Sequence, residues 1–183
     1  MPQRFDESAS TFLPADRWQA ISAGVALPSE TVGTALFADV SGFTALTARL
    51  MEIQGSDRGG EALAHHLAQI YAVLVAATRD NGGSVVSFAG DAITCWFEAD
   101  RGDRALRCAA TMQAQLPAVA SIPIAADEAV TVSLKASLVH GSVRRAVVGA
   151  PEIQLIDVVA GATIDRMAAA EQVALAGEIV TDE

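Results

Sequence analysis

Phe37-Ala38-Asp39-Val40-Ser41-Gly42-Phe43-Thr44 is the stretch from which the fold can be read. Thr34 to Val40 is mostly apolar without strict alternation, which predicts a strand covered on both faces and central in its sheet. Ser41-Gly42 then opens a helix. Asp39 is thereby set at a strand end beside a helix N-terminus, where unpaired amides and the helix dipole favour an anion. Gly42 lets the backbone approach phosphate oxygens closely. A second stretch, Val86-Ser87-Phe88-Ala89-Gly90-Asp91-Ala92, puts another aspartate in a tight hairpin between apolar strands. Adjacent central strands would bring the two carboxylates together, and such a pair repels unless a cation compensates it. Magnesium, a hard ion with oxygen ligands, suits that position. Taken singly, each motif has a plainer reading. Asp39 or Ser41 could cap the helix, and Asp91 could be an ordinary turn residue.

Working outward, residues 1–30 read as an N-terminal extension packing on the core. Within it Phe12-Leu13-Pro14 is extended, Ala15 to Ala23 forms a short helix ending near Gly24, and Leu27-Pro28-Ser29-Glu30 turns. The domain proper is expected over residues 31–183. After the first strand a helix runs to about Met51, a polar loop spans Gln54 to Gly60, and a long helix spans Glu61 to Arg79. Strands Ser84–Phe88 and Ala92–Phe97 follow, then a helix from Asp100 to Leu116. Val130 to Val139 alternates, His140-Gly141-Ser142 turns, and Val143–Val148 and Glu152–Val159 read as strands. Thr163–Val173 reads as a helix and Gly177–Thr181 as a short closing strand. This order predicts an α+β fold, a ferredoxin-like core with a mostly antiparallel central sheet and helices packed on it.

The bulk properties narrow the function. At 183 residues, 51% of them hydrophobic, the chain can build one substantial core. No apolar run is long enough to span a bilayer and no signal-peptide core is present, so no membrane partner and a cytoplasmic location are expected. A formal net charge of −10 argues against nucleic acid as a partner, while bound magnesium would reverse the sign locally. Cys95 and Cys108 read as reduced, buried thiols. His65 and His66 lack companions at ligand spacing.

The two motifs in register, with Val159-Ala160-Gly161, Ala170-Glu171 and Gly177-Glu178-Ile179-Val180 downstream, resemble the class III adenylyl and guanylyl cyclase catalytic domain. The resemblance covers nearly the whole chain and is greatest to the soluble, bicarbonate-responsive adenylyl cyclases and their bacterial relatives. It implies a site formed between two domains packed head to tail. Asp39 and Asp91, with the Val40 carbonyl, would bind two Mg2+ (or Mn2+) ions. Amides of Ser41, Gly42, Phe43 and Thr44 would hold the phosphates of ATP. Attack of the ribose 3′-oxygen on the α-phosphorus would then give cyclic AMP and pyrophosphate. Arg144 is a candidate phosphate contact, because it shares a strand face with Ser142, where first-half domains place an arginine. A solvated surface arginine is its plainer reading.

Other family positions hold different residue types. The base-reading lysine is Ser87 and the second base reader is Val158. The transition-state asparagine is Asp165 and the transition-state arginine is Ala169. An aspartate would repel a developing phosphorane and alanine cannot stabilise it. Asp157 and Arg166 are the neighbours that a shifted register would bring in. The pattern matches the first, metal-contributing domain of a pseudo-heterodimeric cyclase. Its complementary domain is expected further along the same polypeptide, the chain end reading as an excised boundary, and a homodimer of this piece is a further possibility. The alternative is a regulatory pseudo-cyclase that binds nucleotide or only dimerises. A diguanylate cyclase is disfavoured by the missing Gly-Gly-Asp/Glu-Glu-Phe signature.

Overall fold

The structure, a computed structural model, describes residues 13–150 and 153–182. Phe12, Glu152 and the start of the expected extension lie outside the described residues. Helix α1 (Ala15–Ala23) follows Pro14 and closes on Gly24, whose φ of 67° suits a residue without a Cβ. Strand β1 (Glu30–Ser41) leads into helix α2 (Phe43–Asp80), then hairpin β2 (Ser84–Ala89) and β3 (Ala92–Glu98). Helices α3 (Asp103–Gln115) and α4 (Pro117–Ala120) precede a small hairpin, β4 (Ser121–Ala125) with β5 (Glu128–Thr131). Strand β6 (Ser133–Ala150), β7 (Gln154–Ala160), α5 (Ala162–Val173) and β8 (Ile179–Thr181) complete the chain.

The main sheet runs β2-β3-β1-β6-β7, with β8 beside β6. All its pairings are antiparallel except β6 with β8. The fold is thus the expected α+β class with a mostly antiparallel sheet. β1 lies at the centre, paired to β3 from Gly33 to Asp39 and to β6 from Glu30 to Ser41. Its alternate residues serve two cores. Leu36, Ala38 and Val40 are buried with Leu46, Leu50, Ile70 and Leu74 of α2 and Cys108 and Met112 of α3. Ala35, on the opposite face, is buried with Trp96, Val139, Val143 and Met167. Coverage on both faces is why β1 lacks a polar alternation.

The chain departs from its sequence-based expectation in three places. Two helical segments are present within Phe43–Asp80 as expected, but the loop expected from Gln54 to Gly60 narrows to a break at Gly55, with φ 78° and ψ 171°. The polarity of that segment marks exposure, since Glu52, Gly55, Ser56, Asp57 and Arg58 are all exposed. His140-Gly141-Ser142 does not turn; β6 passes straight through. Gly141 is there for close approach, because a Cβ would lie 2.4 Å from Oγ1 of Thr163. Third, the alternating Val130–Val139 stretch is split between β5 and β6, and the β4–β5 hairpin went unread.

The α1 helix is tied down by charge. Arg145, 4% exposed, is paired with both Asp16 and Asp157, and Arg17 Nε donates to Asp157 at 2.8 Å. At the start of α3, buried Asp100 accepts from the amides of Gly102, Arg104 and Ala105. Those bonds hold its carboxyl below the usual range although burial acts against them.

Gly141→Ala is expected to cost about 1–3 kcal/mol in urea unfolding, the usual range for overpacking. The double variant with Thr163→Ala recovers part of that loss. A turn glycine would show no such recovery.

Candidate functional site

The sheet register builds the site. Asp39 pairs with Ala92 of β3, so Asp91, one residue earlier, lies beside it across the strand ends. Asp91 occupies the two-residue connection Gly90-Asp91, with φ of Gly90 at 64°. Tyr71 of α2 holds this turn. Its hydroxyl donates to the Gly90 carbonyl and its ring meets Phe88 edge-on at 4.9 Å. Burial and then the nearby Asp91 raise the Tyr71 phenol above its ordinary pKa.

The capping reading of Asp39 and Ser41 does not hold. No side chain caps the N-terminus of α2, where Gly42 has φ 95°. The first intrahelical bond is Leu46 N–H to the Gly42 carbonyl at 3.0 Å. The amides of the first turn therefore have no intrahelical acceptor. Asp91 forms no hydrogen bond or ion pair among the described residues. Asp39 has its pKa raised, first by burial and next by the Asp91 carboxylate, against an opposing pull from Lys135.

Asp39 and Asp91 lie beside one another with Lys135 against Asp39, and hard carboxylate oxygens are donors of the type that suits a divalent ion. Among the described residues no group of three or more His, Cys, Asp or Glu is placed to hold a metal. The chain thus offers two carboxylates, and any further ligands would come from the Val40 carbonyl and substrate oxygens.

Two residues at the site had no role in the sequence reading. Lys135 lies opposite Asp39 in the β1–β6 register, its Nζ 3.5 Å from Asp39 Oδ2. It is also paired with Glu171 of α5. The available signal was its polarity, on the strand face opposite Leu134, Ala136 and Leu138. Glu171 had served only as a downstream marker.

The remaining candidates are not gathered here within one copy. Ser87, Asp165 and Ala169 are exposed, on β2 and α5. Val158 is on β7. Arg144 is exposed on β6 opposite Glu30, nine residues along β1 from Asp39. Asp157 is occupied by Arg17 and Arg145, and Arg166 is paired with Asp182.

Residues 26–183 match the family described as the adenylate and guanylate cyclase catalytic domain. The chain belongs to that family. Relatives include adenylate cyclase type 10 of Rattus norvegicus and of Homo sapiens, each 35% identical over 69 residues. That match covers 38% of this chain and 4% of either relative. Among solved structures, the adenylyl cyclase CyaB from P. aeruginosa superposes with a TM-score of 0.69 at 18% identity, over 84% of this chain and 78% of its own. The guanylyl cyclase Cya2 gives 0.67 at 23% identity, over 83% and 75%. These similarities show the cyclase fold. Members of this lyase family generally use divalent metal ions. Among the described residues of this cyclase domain, no helix is long and apolar enough to cross a membrane.

Because the folded chain raises Asp39 above its ordinary value of 3.8, it binds that proton more tightly than the unfolded chain. Stability linked to this group is present below the ordinary value and is lost as pH rises through the folded value. In chelator, Asp39→Asn should raise the thermal midpoint at pH 7, with a gain that shrinks toward pH 4. Midpoints of parent and variant at both pH values check this; a gain independent of pH would contradict it.

Proposed function

We propose that this cyclase domain is the metal-contributing half of an adenylyl cyclase. It would convert ATP to cyclic AMP and pyrophosphate when paired with a complementary cyclase domain in the same full-length polypeptide. The supporting observation is the juxtaposition of Asp39, Asp91 and the uncapped N-terminus of α2. Asp39, Asp91 and the Val40 carbonyl would hold two ions, Mg2+ or Mn2+. When bound, these supply Lewis acidity toward the ribose 3′-hydroxyl and neutralise charge on the triphosphate. The amides of Ser41 to Thr44 bind the β- and γ-phosphates, whereas Arg144, nine residues along β1 from Asp39, lies too far along the sheet to join them within one copy. The ions held by the two carboxylates would offset their repulsion of the substrate phosphates, and the helix dipole favours the leaving pyrophosphate.

The complementary domain supplies what this chain lacks at Ser87, Val158, Asp165 and Ala169. ATP is favoured over GTP by the identity shared with adenylate cyclase type 10. The fold neighbours, which include guanylyl cyclases, do not separate the two bases. A second reading, a regulatory pseudo-cyclase, is favoured by the acidic Asp165 and by Ala169.

The test is cyclic AMP formation from ATP with Mg2+ or Mn2+, by the chain alone and mixed with a domain that carries the lysine, asparagine and arginine. Activity should appear only in the mixture. Asp39→Ala or Asp91→Ala should lower it by about a hundredfold or more, as for loss of a group stabilising transition-state charge. Silence in the mixture, with a competent partner control, would favour the regulatory reading. Activity of the chain alone would overturn the half-site assignment.

A further inference from the structure

Lys135 is bracketed by two carboxylates on different elements. Asp39 reaches it from β1 and Glu171 from α5. The closer of the two contacts is with Glu171. The side chains of Lys135, Asp39 and Glu171 are 20%, 23% and 23% exposed, so none is freely solvated. The arrangement is fixed by the backbone. Ser137 Oγ donates to the Met167 carbonyl at 3.0 Å, which pins α5 across β6. Lys135 is two residues before Ser137 on the same strand face, and Glu171 is four residues after Met167 on the same helix face. This bond, the bond from Thr163 Oγ1 to the Ser142 carbonyl and the packing of Met167 on Val139 and Val143 together set the carboxylate of Glu171 over the ammonium of Lys135.

This geometry has a consequence for an ion entering at Asp39. An ammonium beside a metal carboxylate competes with the ion, because both need the same oxygen lone pairs and like charges repel at that range. An ammonium displaced from Asp39 but kept in the site without another acceptor would be a partly buried cation without a partner. Glu171 gives it a place to stay. We propose that Lys135 is the resident counter-cation of the metal site and that Glu171 is the positioning residue that draws it off Asp39 when a divalent ion binds. Lys135 holds the metal-free site together by offsetting the repulsion between Asp39 and Asp91. Glu171 lets the same lysine yield without leaving its strand. The inference rests on Asp39 and Asp91 being the metal ligands.

The experiment is a Mn2+ titration followed by electron paramagnetic resonance, on the chain without nucleotide, with thermal midpoints confirming that each variant folds. Glu171→Gln should weaken Mn2+ binding by about tenfold, because the lysine then stays on Asp39. Lys135→Gln should tighten it by a similar factor. The double variant decides the mechanism through the coupling of the two changes. On the Lys135→Gln background, Glu171→Gln should have almost no effect. An equal loss on both backgrounds would mean that Glu171 acts only through its own charge, and would overturn the proposal. Unchanged affinity in both single variants would also overturn it. Asp39→Asn serves as the reference: if it leaves Mn2+ binding intact, the metal-site reading itself has failed, which is distinct from a normal Asp39 effect with uncoupled Lys135 and Glu171.

Discussion

The central constraint is electrostatic: two carboxylates are fixed beside one another at the end of a strand covered on both faces. β1 cannot slip to relieve it. Its register is set on one side by β3 and on the other by twelve residues of pairing with β6. A shift by one residue would exchange the residues of its two cores. Asp39 is therefore held next to Asp91 whatever the cost of their repulsion. Lys135 lies against Asp39 and offsets part of that repulsion.

The rest of the chain serves that register. α2 supplies both the uncapped N-terminus behind Asp39 and, more than two dozen residues on, the tyrosine that holds the Asp91 turn. α5 covers the opposite face and brings Glu171. The α1 helix is coupled to β6 and β7 through Arg145, Asp157, Asp16 and Arg17. That buried network is sensitive to loss of a single partner, since removing one leaves an uncompensated charge. Among the buried side-chain atoms of the described residues, Nε of Arg145 is the one without a hydrogen-bond partner.

The parts of this architecture that were legible in the sequence are those written in local patterns. Asp39 and Asp91 stood out because strand, turn and glycine signals surround each of them, and α1 was bounded correctly by Pro14 and Gly24. Glycine was also the source of error. Gly141 suggested a turn, although its function is to let Thr163 approach β6, a contact visible only once α5 is in place. Lys135 and Glu171 were missed for the same reason. They lie 36 positions apart, and nothing local to either shows that a hydrogen bond from Ser137 to Met167 will bring them together. Polarity between Gln54 and Gly60 reported an exposed bend, and a sequence pattern does not separate a break at the single residue Gly55 from a longer loop.

The most direct measurement is a crystal structure of the chain soaked with Mn2+ and a non-hydrolysable ATP analogue, with data collected at the manganese absorption edge. Anomalous peaks contacting both Asp39 and Asp91, with the triphosphate against the amides of Ser41 to Thr44, are the predicted result. Nucleotide bound elsewhere, or no anomalous signal between the two carboxylates, would contradict the account.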